Sequence, residues 1–149
     1  MQSFPSDEGW PFAKYLGACG RMVAVNYVGE ELWSFYNAAW ETRVDLARQL
    51  MDIAEQLTNN DFDFALYLLD VSFDNFAVGP RDGKVIVVDA ENVLVADKRF
   101  IRQSKSRPNS PSPCLLSFYL TLFYFYRYFF LVIFILVPNL YTMFAPWLC

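Results

Sequence analysis

A long amphipathic helix set among strand-like segments restricts this chain to folds that mix helix and sheet. Apolar residues recur at steps of three and four between Trp40 and Leu57, and the charged residues fall largely on the opposite side. Thr58-Asn59-Asn60 supplies a stop signal. The apolar stripe comprises Val44, Ala47, Leu50, Met51, Ala54 and Leu57, widened by Leu46 and Ile53.

Short β-like runs lie on both sides of this helix. Residues 21–28 are rich in β-branched and apolar types between two glycines, which predicts a strand. Residues 30–37 favour a short helix, and an apolar run at 64–69 ends at an aspartate. Residues 76–78 and 84–88 predict two short strands joined by the Gly- and Pro-containing turn at 79–83. This order of elements predicts an α+β fold.

The composition changes abruptly near residue 101. All sixteen acidic residues lie before it, against eight Lys and Arg, whereas residues 101–149 carry four basic residues and no acid. The acidic first part argues against nucleic-acid binding, because it offers no basic face to phosphates. We therefore predict separate units: a domain at 9–101, a Ser-, Pro- and Arg-rich linker at 102–114, a hydrophobic helix at 115–137 and a short tail at 138–149.

The hydrophobic segment 115–137 is a candidate transmembrane helix. It has 23 residues with one charge, Arg127, before Pro138, and about 20 apolar residues are enough to cross a bilayer. Basic residues between 99 and 107 would then keep residues 1–107 in the cytosol. The alternative is an unstructured apolar segment that aggregates or is degraded. The polar first ten residues do not form a signal peptide.

Asp70, Asn75 and Asp89 are the residues that could carry chemistry. Asp70 and Asn75 are five apart after an apolar run, and Asp89 stands at the exit of a predicted strand. Phosphoryl transfer needs a carboxylate to orient the attacking hydroxyl, and Asn and Asp oxygens to hold magnesium on the phosphates. The same spacing also arises by chance in an acidic chain, and a strand often ends in an aspartate that caps a helix. The spacing therefore leaves both interpretations open.

Three long strings resemble the divergent protein kinase domain family of the secretory pathway. They are Pro11-Phe-Ala-Lys-Tyr-Leu-Gly-Ala-Cys-Gly-Arg21, Leu66-Tyr-Leu-Leu-Asp-Val-Ser-Phe-Asp-Asn-Phe-Ala-Val78 and Val85-Ile-Val-Val-Asp-Ala-Glu-Asn92. The resemblance implies a partial protein kinase-like fold that contains the hinge strand, helices and catalytic and metal loops of the large lobe. It covers under two-thirds of the chain.

The resemblance also implies roles for single residues. Asp70 matches the catalytic aspartate, and Asn75 and Asp89 match the metal ligands. The cofactor-binding hinge corresponds to Tyr27, Val28 and Gly29. The implied cofactor is Mg-ATP, and the implied partners are ATP and a protein substrate or binding protein. The implied location is the secretory pathway, either the Golgi or outside the cell, which disagrees with the cytosolic orientation predicted from the tail.

The sequence departs from typical kinases at several points. Leu68-Leu69-Asp70 replaces His-Arg-Asp, and Asp89-Ala90-Glu91 replaces Asp-Phe-Gly. No glycine-rich loop, ATP-anchoring lysine or partner glutamate is found before the hinge strand. We therefore expect the chain to be inactive as a kinase by itself. A pseudokinase-like binding or signalling module and a non-functional product of an alternative transcript are the competing hypotheses.

Overall fold

The computed structural model describes residues 3–99, 131–133 and 135–137. Seven short strands and one long helix form in this part of the chain. The strands are β1 (Tyr15–Cys19), β2 (Met22–Val25), β3 (Glu30–Glu31), β4 (Phe64–Leu68), β5 (Phe76–Val78), β6 (Val85–Val87) and β7 (Val93–Asp97), and the helix α1 is Trp40–Thr58. Short 3₁₀ turns occur at Ser6–Glu8, Leu32–Phe35 and Phe73–Asn75. The mixture of helix and strand confirms the α+β prediction.

Helix α1 forms where the periodicity predicts it, but its buried stripe is rotated. The side chains that it buries are Leu46, Ala47, Leu50, Ile53, Ala54 and Leu57. Val44 and Met51 remain 40% and 37% exposed, so their assignment to the apolar stripe does not correspond to burial. Leu46, Leu50, Ile53 and Leu57 follow steps of four, three and four residues, which keeps them on one side of the helix. This face packs against β4 and β6.

The seven strands form three small antiparallel sheets. Strand β1 pairs with β2, β5 lies between β3 and β6, and β4 pairs with β7. The segment before β1 adds a short parallel contact to β6, because Ala13 N–H donates to the Val87 carbonyl at 2.9 Å and Val87 N–H donates to the Pro11 carbonyl at 2.8 Å. Leu66, Phe76 and Val87 are completely buried between these sheets and the helix.

The strands at both ends of the domain differ from the prediction. The predicted strand at 21–28 is shorter, and it forms a hairpin with β1, which the sequence analysis missed. Strand β7 was also missed, although it pairs with β4 over five residues. Both missed strands have mostly exposed or half-buried side chains. Val93–Asp97 begins with four apolar residues, so its composition already favours a strand, whereas Tyr15–Cys19 is interrupted by a glycine.

Part of the hydrophobic tail lies against the domain. Residues 131–133 and 135–136 are helical, and Leu131 and Ile135 belong to the same core cluster as α1 and β4. Within the described residues, no helix is long and apolar enough to span a membrane. The rest of 115–137, together with the predicted linker 102–114 and the tail 138–149, lies outside the described residues. Those three predictions therefore remain predictions.

Candidate functional site

The loop between β4 and β5 and the end of β6 meet at one small cavity. Its volume is about 30 Å³, and it is lined by Leu68, Asp70, Asn75, Asp89, Ala90, Glu91 and Asn92. The three residues singled out for chemistry are therefore neighbours, although Asp89 lies fourteen residues beyond Asn75. Glu91 and Asn92 were not assigned to the site from the sequence. Their position next to Asp89 is the signal that could have included them.

Asn75 connects the two loops of this site by hydrogen bonds. It is 8% exposed, and its side-chain Nδ2 donates to the backbone carbonyl of Asp70 at 3.1 Å. Its own backbone carbonyl accepts hydrogen bonds from the amides of Val88, at 2.9 Å, and Asp89, at 3.4 Å. A single buried residue thus fixes the distance between the loop that begins at Asp70 and the end of β6.

The side-chain amide of Asn75 has a defined orientation, because its Nδ2 atom donates a hydrogen bond. With Nδ2 bonded to Asp70, the carbonyl oxygen Oδ1 is the atom that could bind a cation. No hydrogen bond to this oxygen is found within the described residues. Asp70 and Asp89 are both exposed, so their carboxylates remain accessible from solvent.

The turn after β6 is stabilised by a local hydrogen bond and by a contact with β4. The amide of Glu91 donates to Asp89 Oδ1 at 3.2 Å, which occupies one acceptor position of that carboxylate. A second backbone contact, from the Leu69 amide to the Asn92 carbonyl at 2.8 Å, joins this turn to the end of β4. Glu91 therefore forms part of an ordered turn, and it brings a further negative charge to the cavity.

The chemistry of the donor set suits magnesium bound to a phosphate. Mg²⁺ is usually held by one or two carboxylates together with substrate phosphates, and Asp89 and the Asn75 oxygen would supply the protein's share. The described residues contain no group of three or more acidic, His or Cys side chains placed to hold a metal alone. The fit therefore depends on oxygen atoms from a bound phosphate.

The predicted hinge residues lie apart from this cavity. Tyr27 and Val28 line a different cavity of about 200 Å³, together with residues such as Gly79 and Lys84. Tyr27 is 78% exposed, and its hydroxyl donates to Glu30 Oε1 at 3.3 Å. The negative charge of Glu30 raises the pKa of the Tyr27 phenol. Their assignment to cofactor binding remains a prediction.

A steric constraint explains why residue 29 is a glycine. A Cβ atom at this position would collide with the backbone carbonyl of Val78. Residue 29 directly precedes β3, which pairs with β5 through Glu30 opposite Val78. The glycine is therefore needed for close approach of two backbones, whether or not a nucleotide binds nearby.

A larger cavity of about 420 Å³ adjoins the site. It is lined by Tyr15, Arg21, Val23, Val25, Val88, Asp89, Ala90 and Glu91. Since Asp89 and Glu91 line both cavities, the acidic turn separates the small cavity from the space beneath the β1–β2 hairpin. The hairpin side of this space is largely apolar, apart from Arg21.

Comparisons with known proteins match most of this chain. Residues 1–121 match the family model described as "Protein-kinase domain of FAM69". The chain is 90% identical to human Divergent protein kinase domain 2A over 105 residues, which is 70% of this chain and 24% of that protein. The mouse protein of the same name gives the same identity and coverage. Human Divergent protein kinase domain 2B is 37% identical over 107 residues, 72% of this chain and 24% of that protein. The chain thus spans about a quarter of the length of these curated relatives.

Proposed function

Because the chain belongs to the family of the FAM69 protein-kinase domain, we propose that it supplies the catalytic and metal loops of a kinase-like nucleotide site. In this proposal Asp70 is the catalytic carboxylate, and Asn75 and Asp89 hold the magnesium of Mg-ATP. The observation that carries it is the shared cavity of these three residues, fixed by the Asn75 hydrogen bonds.

Each loop has a separate role in this site. Asp70 would accept a hydrogen bond from the hydroxyl group of a protein substrate, and Asn75 Oδ1 and Asp89 would neutralise charge on the phosphates through the metal. Magnesium supplies the electrostatic stabilisation when it is bound. The domain itself contributes the fixed spacing, which comes from Asn75.

We propose further that the 149-residue chain binds Mg-nucleotide without transferring phosphate. Glu91 stands where typical kinases carry the glycine of Asp-Phe-Gly, and its negative charge beside Asp89 would oppose the charge that develops on the phosphates during transfer. ATP and a protein partner are the expected ligands of the site. Residence in the secretory pathway remains a prediction, which imaging of the tagged chain beside a Golgi marker would test.

Thermal unfolding of the full chain with MgCl₂ and ATP tests the binding step. Nucleotide at ten times its Kd stabilises a protein by about 1.4 kcal/mol, which corresponds to a Tm increase of several degrees in a small domain. Asp89→Asn should abolish this increase. Asp61→Asn is the matched control, because Asp61 is an exposed carboxylate that does not line the cavity.

Transfer of the ATP γ-phosphate to a mixed peptide library tests the second step. Incorporation above the level of Asp89→Asn would contradict the proposed lack of transfer. A Tm that does not respond to nucleotide, or one that rises equally in Asp89→Asn, would contradict the proposed nucleotide site.

A pseudokinase-like binding module is the second candidate, and the turn at Asp89 favours it. The Glu91 amide already occupies Asp89 Oδ1, and the Glu91 side chain adds negative charge where phosphate groups would approach. Glu91→Gly distinguishes the two functions. If MgCl₂ and ATP raise the Tm of Glu91→Gly but not of the natural chain, the natural chain is a pseudokinase-like binding module.

A further inference from the structure

Arg43 joins the N-terminal end of α1 to the hydrophobic tail. Its Nη1 donates to the backbone carbonyls of Ile135 at 3.0 Å and Leu136 at 3.1 Å. Its Nε donates to the carbonyl of Ala38 at 3.1 Å, and its guanidinium lies 5.4 Å from the centre of the Trp40 ring. The arginine is half-buried. Its contacts with Ala38 and Trp40 position the guanidinium for the hydrogen bonds to the tail.

The atoms that Arg43 binds belong to a helix end. The final carbonyls of a helix lack partners within the helix, and a cation near them is favourable because the helix dipole places negative charge there. The Val137 amide donates to the Ile133 carbonyl at 2.7 Å, which extends the helical bonding to that residue. Arg43 therefore caps the tail helix at its C-terminal end.

The side chains of the tail segment are sorted into two faces. Leu131 and Ile135, four residues apart, are 4% and 2% exposed, whereas Val137 is 45% exposed. Val132 and Leu136 are partly buried against the same core cluster. Leu131 and Ile135 therefore mark the side of the segment that faces the core.

We propose that the surface beside the N-terminal end of α1 is a docking site for an apolar helix end, and that residues 131–137 of this chain occupy it. The site has two parts: an apolar surface that receives Leu131 and Ile135, and Arg43, which binds the exposed carbonyls. It fits a short apolar helix that ends at the arginine. This inference does not depend on the proposed nucleotide site.

Docking competes with insertion of the tail into a membrane. If residues 131–137 are held by the domain, only residues 115–130 of the apolar segment remain, which is sixteen residues. At about 1.5 Å per residue they would span about 24 Å, less than the roughly 30 Å of a bilayer core. Docking of the tail would therefore shorten the apolar run that is available for insertion below the thickness of a bilayer core.

Hydrogen exchange of the full chain tests the docking with two matched substitutions. Leu131→Asn and Val137→Asn introduce the same uncharged polar group into the same segment, at a buried and an exposed position. We expect Leu131→Asn to accelerate exchange of amides 131–133 and 135–136 about tenfold, after correction for intrinsic rates, and Val137→Asn to leave it within about threefold. Equal effects of the two variants would overturn the proposal.

Arg43→Met provides a second test if Leu131→Asn fails to fold. This variant retains a long, unbranched side chain but removes the guanidinium donors to Ile135 and Leu136. Arg48→Met is its control, because Arg48 pairs only with Asp45 and Asp52 on the exposed side of α1 among the described residues. Faster exchange at 131–136 in Arg43→Met alone supports docking, and unchanged exchange refutes it.

Flotation with phosphatidylcholine vesicles tests the competition. We expect Arg43→Met to raise the fraction of chain that floats several-fold over Arg48→Met, because the released segment becomes long enough to insert. Equal flotation of the two variants would show that Arg43 does not hold the tail back from a bilayer.

Discussion

The Asn75 loop and the Arg43 contact are stabilised by the same kind of hydrogen bond, but the bonded residues are separated by very different lengths of chain. In each, one polar side chain donates to backbone carbonyls. Asn75 reaches a carbonyl five residues away, whereas Arg43 reaches carbonyls 92 and 93 residues away. A short-range contact can be inferred from a sequence motif, because its spacing is visible. A long-range contact depends on how the whole domain folds.

Replacing Asn75 should give the largest loss of stability. Asn75→Leu removes the part-buried hydrogen bond from the Asn75 side-chain amide to the Asp70 carbonyl. We expect a loss of about 2–3 kcal/mol, measured by chemical denaturation. Asn92→Leu is the control, because Asn92 is exposed in the same cavity, and it should cost less than about 0.5 kcal/mol. Equal losses would show that the site does not depend on Asn75.

A methyl group at Gly29 should have the next largest effect. Gly29→Ala places a Cβ against the Val78 carbonyl, so the pairing of β3 with β5 must shift. We expect a loss of about 1–3 kcal/mol. At Gly17 a Cβ would meet no atom within 4 Å, so Gly17→Ala should be neutral or slightly stabilising. A neutral Gly29→Ala would contradict the close backbone approach.

The two arginines of α1 compare a long-range contact with a local one. Arg43→Met should lower stability by about 1–2 kcal/mol, because Arg43 is half-buried and binds backbone carbonyls from two segments. Arg48 has a side chain that is 65% exposed and binds carboxylates on its own helix. Arg48→Met should cost at most a few tenths of a kcal/mol. Urea denaturation of Arg43→Met and Arg48→Met measures the two losses in the free energy of unfolding. Losses of similar size would contradict a stronger contribution from the long-range contact.

The smallest effect concerns the pH dependence of the local ion pair. A hydrogen bond from Arg48 and another from Gln49 lower the pKa of Asp45. A carboxyl group with a lowered folded-state pKa adds stability above its unfolded pKa, and that stability is lost as the pH falls through the folded value. Arg48→Gln should raise the Asp45 pKa toward its ordinary value, as followed by NMR titration. An unchanged pKa would show that Gln49 alone sets it.

The candidate site residues and the strands differ in what the sequence revealed. Asp70 and Asn75 were singled out from their spacing after an apolar run, and the structure places both at one cavity with Asp89; their roles remain predictions. Strands β1 and β7 were missed, although Val93-Leu-Val-Ala96 is an apolar run, because their pairing with β2 and β4 is not visible in either segment alone. Val44 and Met51 were assigned to the helix core because periodicity alone does not fix the centre of a wide stripe.

The sequence by itself determined α1, the hairpin of β5 and β6, and the membership of a kinase-domain family. These depend on periodicity, turn residues and long matching strings, all of which are local properties of the chain. Only the tertiary structure decided that Gly29 lies against Val78 and that Leu131 and Ile135 join the same core cluster as α1. Those contacts join distant segments, and they form only after the core has brought the segments together.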